Sequence, residues 1–269
     1  MRRASASGLS SRDVSSPMRV LREAVEAPAD DPAVDRERTA SLLAAAADGV
    51  PALRVWTPPK QVAFGPRDAR ADGYDRATRL AADRGFQPVE RDVGGRAVAY
   101  TGSTLAFAFA IPLGNVSARG ATTSGESTAD EDPTAGWTSI EGRYDRATRA
   151  VVDALYDIGA DVTAGEPDAS FCPGDHSIRV GGGGKISGIA QRVRADAALV
   201  AGCLVVRRED AVALAALIDP VYDALGVPFD PESLGSVEEA GGPDDVERVA
   251  RALEDAFAES WSNGTRRIR

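Results

Sequence analysis

Three apolar runs follow one another almost without a gap: Ser177 to Val180, Lys185 to Val193 and Ala197 to Val206. Each has the length and apolar content of a strand. The connections between them are only four and three residues long. A parallel crossover needs a dozen residues or more, so these strands can pair only as an antiparallel meander. Upstream, Leu53 to Trp56 and Gln61 to Gly65 form a second close pair across Pro58-Pro59. Phe86 to Glu90 is strand-like, another strand leads to Tyr100, and Thr104 to Ile111 is an apolar strand. Helical patterns lie between them, at Asp35 to Ala47, Tyr144 to Ile158, Glu209 to Leu217 and Asp244 to Phe257. One more is expected from an N-cap at Asp72 to Asp83, ended by Gly85. Directly adjoining strands among such helices predict an α+β fold, a single domain with a mixed or antiparallel sheet flanked by helices.

No linker divides the chain inside this pattern, so the domain is expected over 18–260. Residues 1–17 are read as a disordered or untranslated extension, with Met18 as an alternative start, and 261–269 as a tail. The stretch 115–135 is Gly, Ser, Thr, Ala and acid with almost nothing large and apolar, which predicts a mobile loop.

Charge excludes one class of partner. With a net charge of −10 the chain lacks the clustered positive surface that nucleic acid requires. No apolar run approaches a membrane span, and no secretory segment precedes Met18. A cytoplasmic protein is expected, with no nucleic-acid or membrane partner. Its acidity, with arginine in place of lysine, suits a halophile's surface or a GC-rich genome. Two cysteines 31 residues apart and one histidine make no metal-ligand pattern, so no metal site is expected.

Arginine supplies almost all the positive charge. Of 31 basic residues only Lys60 and Lys185 are lysine. A compact ammonium makes a point contact that a planar guanidinium does not, so Lys185 stands out. It follows four glycines in Gly-Gly-Gly-Gly-Lys-Ile-Ser-Gly-Ile-Ala-Gln, residues 181–191. The spacing is wrong for a phosphate-cradling P-loop, and the run lies between strands, so a glycine hairpin turn is the plain reading. A second pair, Gly94-Gly95, sits in Arg91-Asp-Val-Gly-Gly-Arg-Ala-Val-Ala-Tyr100. Its amides can approach a substrate closely, with Arg91 and Arg96 as donors; an ordinary β-turn is the plain alternative. Third is Ser170-Phe-Cys-Pro-Gly-Asp-His176. A cysteine on a Pro-Gly loop can be an exposed nucleophile, with His176 nearby, or an inert thiol. Cys203, in an apolar strand, reads as a buried core thiol.

Taken in order, these three segments resemble the biotin/lipoate protein ligase and lipoyl/octanoyl transferase superfamily. Its ligases carry Arg-Arg-x-x-Gly-Gly-Gly-x-Val-Tyr-His and Lys-x-Ser-Gly-x-Ala, and Trp56 to Gly65 resembles the strand pair before the first motif. Arg96 departs from the third glycine and Thr101 from the histidine. The cysteine-using octanoyl transferases carry Ser-Phe-Cys-Pro-Gly followed by Gly-Lys-x-x-Gly-x-x-Gln-Arg. Cys172, Pro173, Gly174, Gly184, Lys185, Gly188, Gln191 and Arg192 fit that pattern.

The resemblance implies a catalytic domain that transfers an octanoyl or lipoyl group through a Cys172 thioester. Lys185 would stabilise the acyl oxygen. Arg91, Gly94, Gly95, Arg96, Gly188, Ala190 and Gln191 would bind substrate. The implied partners are lipoyl-domain proteins, the glycine-cleavage H protein and the acyltransferase subunits of 2-oxo-acid dehydrogenases, with no cofactor. One alternative is an ATP-dependent ligase forming lipoyl-AMP, using ATP and Mg, with Asp175 facing the adenylate and Lys185 on it. The other is a non-catalytic paralogue that binds lipoyl or biotinyl groups.

Overall fold

In the computed structural model, residues 18–22, 31–91, 93–113 and 135–262 are described. The expected extension 1–17 lies outside them, as do the expected loop 115–135 except for Ala135 and the expected tail 261–269 except for Trp261 and Ser262, which are helical. Ten strands run in chain order: β1 (Arg19–Arg22), β2 (Ala52–Trp56), β3 (Gln61–Phe64), β4 (Gln87–Glu90), β5 (Val98–Tyr100), β6 (Leu105–Pro112), β7 (Val162–Ala164), β8 (Ser177–Val180), β9 (Lys185–Val193) and β10 (Ala197–Leu204). The helices are α1 (Pro32–Ala47), α2 (Tyr74–Asp83), α3 (Ala135–Thr138), α4 (Ile140–Asp157), α5 (Arg208–Leu225) and α6 (Val246–Ser262). Among the described residues no helix is long and apolar enough to cross a membrane.

A seven-stranded sheet has the order β1-β2-β6-β10-β9-β8-β7, and a three-stranded sheet the order β4-β3-β5. Among the strand pairs of the described residues, β1 with β2 and β3 with β4 are parallel and the rest antiparallel. The meander β8-β9-β10 is antiparallel throughout, as its short connections require. This is the mixed-sheet α+β architecture that the sequence predicts.

Strand β6 sits at the centre, between β2 and β10. Its alternation sorts residues onto two buried faces. Leu105, Phe107, Phe109 and Ile111 pack against Val151, Leu155, Leu253 and Phe257 of α4 and α6. Phe109 meets Trp137 edge to face at 5.0 Å, Phe257 at 5.8 Å and Trp261 at 5.6 Å. Ala106, Ala108 and Ala110 face the other way, toward Leu42, Leu43 and Ala46 of α1. Small side chains on that face leave room that large ones would fill, and a cavity opens there. Beneath it Arg54, fully buried on β2, pairs with Asp35 of α1 at 2.7 Å and lies 4.0 Å over the Trp56 ring. A third cluster joins the small sheet to α2 and α5.

Four local details differ from expectation. Gly73, not Asp72, caps α2, and no side chain completes that cap. α5 continues eight residues beyond Leu217, through Pro220, because Val221, Tyr222 and Leu225 extend its buried face. Edge strands β1 and β7 have four and three residues, too few for a periodic signal. The four-residue α3 is likewise too short to show one.

Candidate active site

Cys172 lies on the loop between β7 and β8, in a conformation that side chains avoid. Its φ is +42°, and Ala169 three residues earlier has φ +49°. Each left-handed non-glycine residue costs about 1–3 kcal/mol, which the surroundings must offset. Three contacts do so at Cys172. Its N–H donates to Tyr222 Oη at 2.7 Å. Its carbonyl accepts from Lys185 Nζ at 2.8 Å. Its sulfur accepts from Arg91 Nη2 at 3.6 Å. Tyr222 in turn donates to the Ala97 carbonyl at 2.8 Å. Burial pushes the Tyr222 phenol well above its ordinary value, so it keeps the proton that this donation needs.

Arg91 follows β4 and also donates from Nη2 to the Arg96 carbonyl at 2.8 Å. Its Nε is buried and has no hydrogen-bond partner among the described residues. Burial opposes the guanidinium charge, but Cys172 and Tyr100 outweigh it and raise the Arg91 pKa.

Gly95 makes the approach of these groups possible. Its φ is +102°, and a Cβ there would stand 2.6 Å from Cys172 Sγ and 3.0 Å from Arg91 Nη2. Gly65 serves the same loop, since a Cβ on it would meet the Gly95 carbonyl oxygen at 2.1 Å. A Cβ on Gly94 meets nothing within 4 Å.

A cavity of about 680 Å³ adjoins the cysteine. That size falls within the usual range for small-molecule sites, ~300–1,000 Å³. Cys172, Arg91 and Gly95 contribute to its wall, with Leu43, Trp56, Ala106 and Ala108. A thiol under a cation, beside an apolar chamber, suits capture of an acyl group by its carbonyl.

The other candidates fall into different places. Lys185 is fully buried and encloses its ammonium between the Cys172 carbonyl and Glu166, whose Oε2 lies 3.0 Å away. It is not part of the cavity wall, and its ammonium grips the backbone of the Cys172 turn. Arg96 is held by Asp68 at 3.0 Å and is also off the wall. Gly188 lies against the Lys185 stem, where a Cβ would meet Cε at 3.2 Å. Ala190 and Gln191 line the cavity. Gln191 also accepts from Arg143 Nε at 2.7 Å and donates to the Ile140 carbonyl at 2.7 Å, fastening α4 to β9.

Asp175 is exposed at the cavity wall. His176 stacks on Tyr144 with centroids 3.7 Å apart and forms no hydrogen bond with Cys172. Cys203 is buried, and burial pushes its thiol up to about 11. Sequence reasoning missed Glu166 and Tyr222. Glu166 sits in an irregular loop, and Tyr222 reads as one more core position of a helix.

Residues 31–258 match the lipoyl protein ligase A/B catalytic domain. The chain belongs to that family. Among curated proteins it is similar to the octanoyl-[GcvH]:protein N-octanoyltransferase of Oceanobacillus iheyensis, 28% identical over 142 residues, 53% of this chain and 43% of the relative. The enzyme of the same name from Exiguobacterium sibiricum is 29% identical over 153 residues, 56% of this chain and 48% of the relative. The match therefore spans less than half the length of these relatives. Among solved structures, an ATP-bound lipoate-protein ligase A superposes with a TM-score of 0.62 at 20% identity, covering 91% of this chain and 85% of the other. The bi-partite lipoate protein ligase of Thermoplasma acidophilum gives 0.60 at 19%, covering 91% and 84%. These two likenesses concern the fold.

Proposed function

We propose that this lipoyl protein ligase A/B family member is a cysteine-dependent acyltransferase of protein lipoylation. It moves an octanoyl or lipoyl group to the lysine of a lipoyl domain through a thioester on Cys172. The observation that carries this reading is the Arg91 guanidinium 3.6 Å from Cys172 Sγ, beside an apolar cavity. A nearby cation favours the thiolate, which is the nucleophilic form.

In the first step the thiolate attacks the acyl carbon of the donor's amide. A C–S bond forms, the C–N bond breaks, and the donor amine leaves with a proton taken from water. Negative charge gathers on the acyl oxygen between these events, and the Arg91 guanidinium beside Cys172 supplies the nearby positive charge. In the second step the neutral amine of the acceptor lysine attacks the thioester carbon. The C–N bond forms, the C–S bond breaks, the thiolate is restored and the amine's surplus proton passes to water. Donor and acceptor are lipoyl-domain proteins, the glycine-cleavage H protein and the acyltransferase subunits of 2-oxo-acid dehydrogenases, met in the cytoplasm. The names of the similar curated enzymes, octanoyl-[GcvH]:protein N-octanoyltransferase, support that choice.

The route needs neither ATP nor a metal. One contact weighs against the ATP of a ligase. Lys185, the residue for an adenylate, is enclosed by Glu166.

The test is transfer activity in two variants. Cys172→Ser is expected to abolish transfer and Cys203→Ala to retain it. Loss in both, or in neither, removes Cys172 as the nucleophile.

A further inference from the structure

We infer that Glu166 is a positioning residue for this reaction: through Lys185 it locks the strained Cys172 turn and so fixes the sulfur against Arg91. The inference rests on Cys172 as the nucleophile. Glu166 occupies the loop after β7, six residues before the cysteine. Its carboxylate accepts from two groups that flank Cys172. One is the Ser170 hydroxyl, fully buried two residues before it, in a short hydrogen bond. The other is Lys185 Nζ, at 3.0 Å from Oε2 and 3.4 Å from Oε1.

Lys185 is fully buried, and its remaining contacts are the Cys172 carbonyl at 2.8 Å and the Phe171 ring at 5.0 Å. A buried ammonium without a counter-charge is strongly disfavoured, so it neutralises or leaves for solvent. Glu166 is the counter-charge among the described residues. Remove it, and the ammonium that holds the Cys172 carbonyl is lost with it. The turn then loses one of the contacts that offset φ values of +42° at Cys172 and +49° at Ala169. Relaxed toward ordinary backbone, the cysteine carries its sulfur away from Arg91 and from the cavity.

This role separates cleanly from a merely electrostatic one. A carboxylate near a thiol disfavours the thiolate, so its removal alone would leave Cys172 as quick to alkylate or quicker. Loss of the clamp predicts the reverse, because the sulfur parts from the guanidinium.

The experiment uses the full chain and the isosteric Glu166→Gln, with Glu166→Ala and Glu166→Asp beside it. The rate of Cys172 alkylation by iodoacetamide is followed against pH, and octanoyl transfer is measured between purified lipoyl domains. In Glu166→Gln alkylation of Cys172 at neutral pH is expected to slow about tenfold. Transfer kcat should fall on the order of 100-fold in Glu166→Ala with the acceptor KM unchanged, since misplacement by about 1 Å has that effect. Glu166→Asp, which keeps the charge, should recover part of both. Alkylation that stays as fast or quickens in Glu166→Gln, with kcat intact, overturns the inference and leaves the proposed function standing. If wild-type Cys172 is alkylated no faster than Cys203 and takes up no acyl group, both fall together.

Discussion

Gly95→Ala separates backbone strain from chemistry, because a second glycine supplies the strain alone. Gly95 has φ +102° and Gly102 has φ +96°. Alanine at either position costs about 1–2 kcal/mol for the left-handed backbone. In a domain of this size that lowers Tm by roughly 2–8 °C. At Gly102 nothing lies within 4 Å of the added Cβ, and strain is the whole effect. At Gly95 the Cβ would stand 2.6 Å from Cys172 Sγ. Carbon contacts settle near ~3.5–4.0 Å, so the sulfur or the loop must retreat by about 1 Å. A shift of that size is worth on the order of 100-fold in rate. Differential scanning fluorimetry should therefore show similar losses of Tm in the two variants. Transfer assays and iodoacetamide alkylation should show a collapse only in Gly95→Ala. Equal activity in both variants would refute the claim that Gly95 exists to admit the Cys172 sulfur.

Three further outcomes follow from the same geometry. Arg91→Lys keeps the charge but loses the planar head whose Nη2 reaches both the Arg96 carbonyl and Cys172 Sγ, so kcat should drop about 100-fold in steady-state transfer assays. Tyr222→Phe leaves the buried Cys172 N–H and the Ala97 carbonyl unsatisfied; urea unfolding should show a loss of about 1–3 kcal/mol. Burial raises the Cys203 pKa from 9.0 to about 11, so the unfolded chain releases this proton first and stability falls as pH rises between those values. Over two pH units this amounts to about 3 kcal/mol, and urea midpoints taken across that window should fall more steeply in the wild type than in Cys203→Ala.

The sheet was legible because connections of four and three residues leave strands 177–180, 185–193 and 197–206 no choice but to pair as neighbours. β6 was legible because eight residues of alternating large and small apolar character have one simple reading. The cavity was not legible there, and only the structure shows that alanines on one face of β6 open it. Motif spacing picked out Arg91, Gly95 and Cys172, which the fold gathers from two separate loops. It could not say which cation reaches the sulfur. Lys185 and Arg91 are equally basic on paper, and burial against Glu166 separates their roles. Glu166 itself, in Gly-Glu-Pro-Asp, carries no periodicity and no motif. Arg96 looked like a donor for the same reason as Arg91, but a buried Asp68 claims it.

The most direct measurement is the intact mass of the purified chain after incubation with octanoylated H protein and no ATP. An octanoyl adduct that hydroxylamine removes and that maps to Cys172 is the predicted result. No adduct under those conditions, with acyl-AMP formed once ATP, magnesium and free octanoate or lipoate are supplied, would contradict the account.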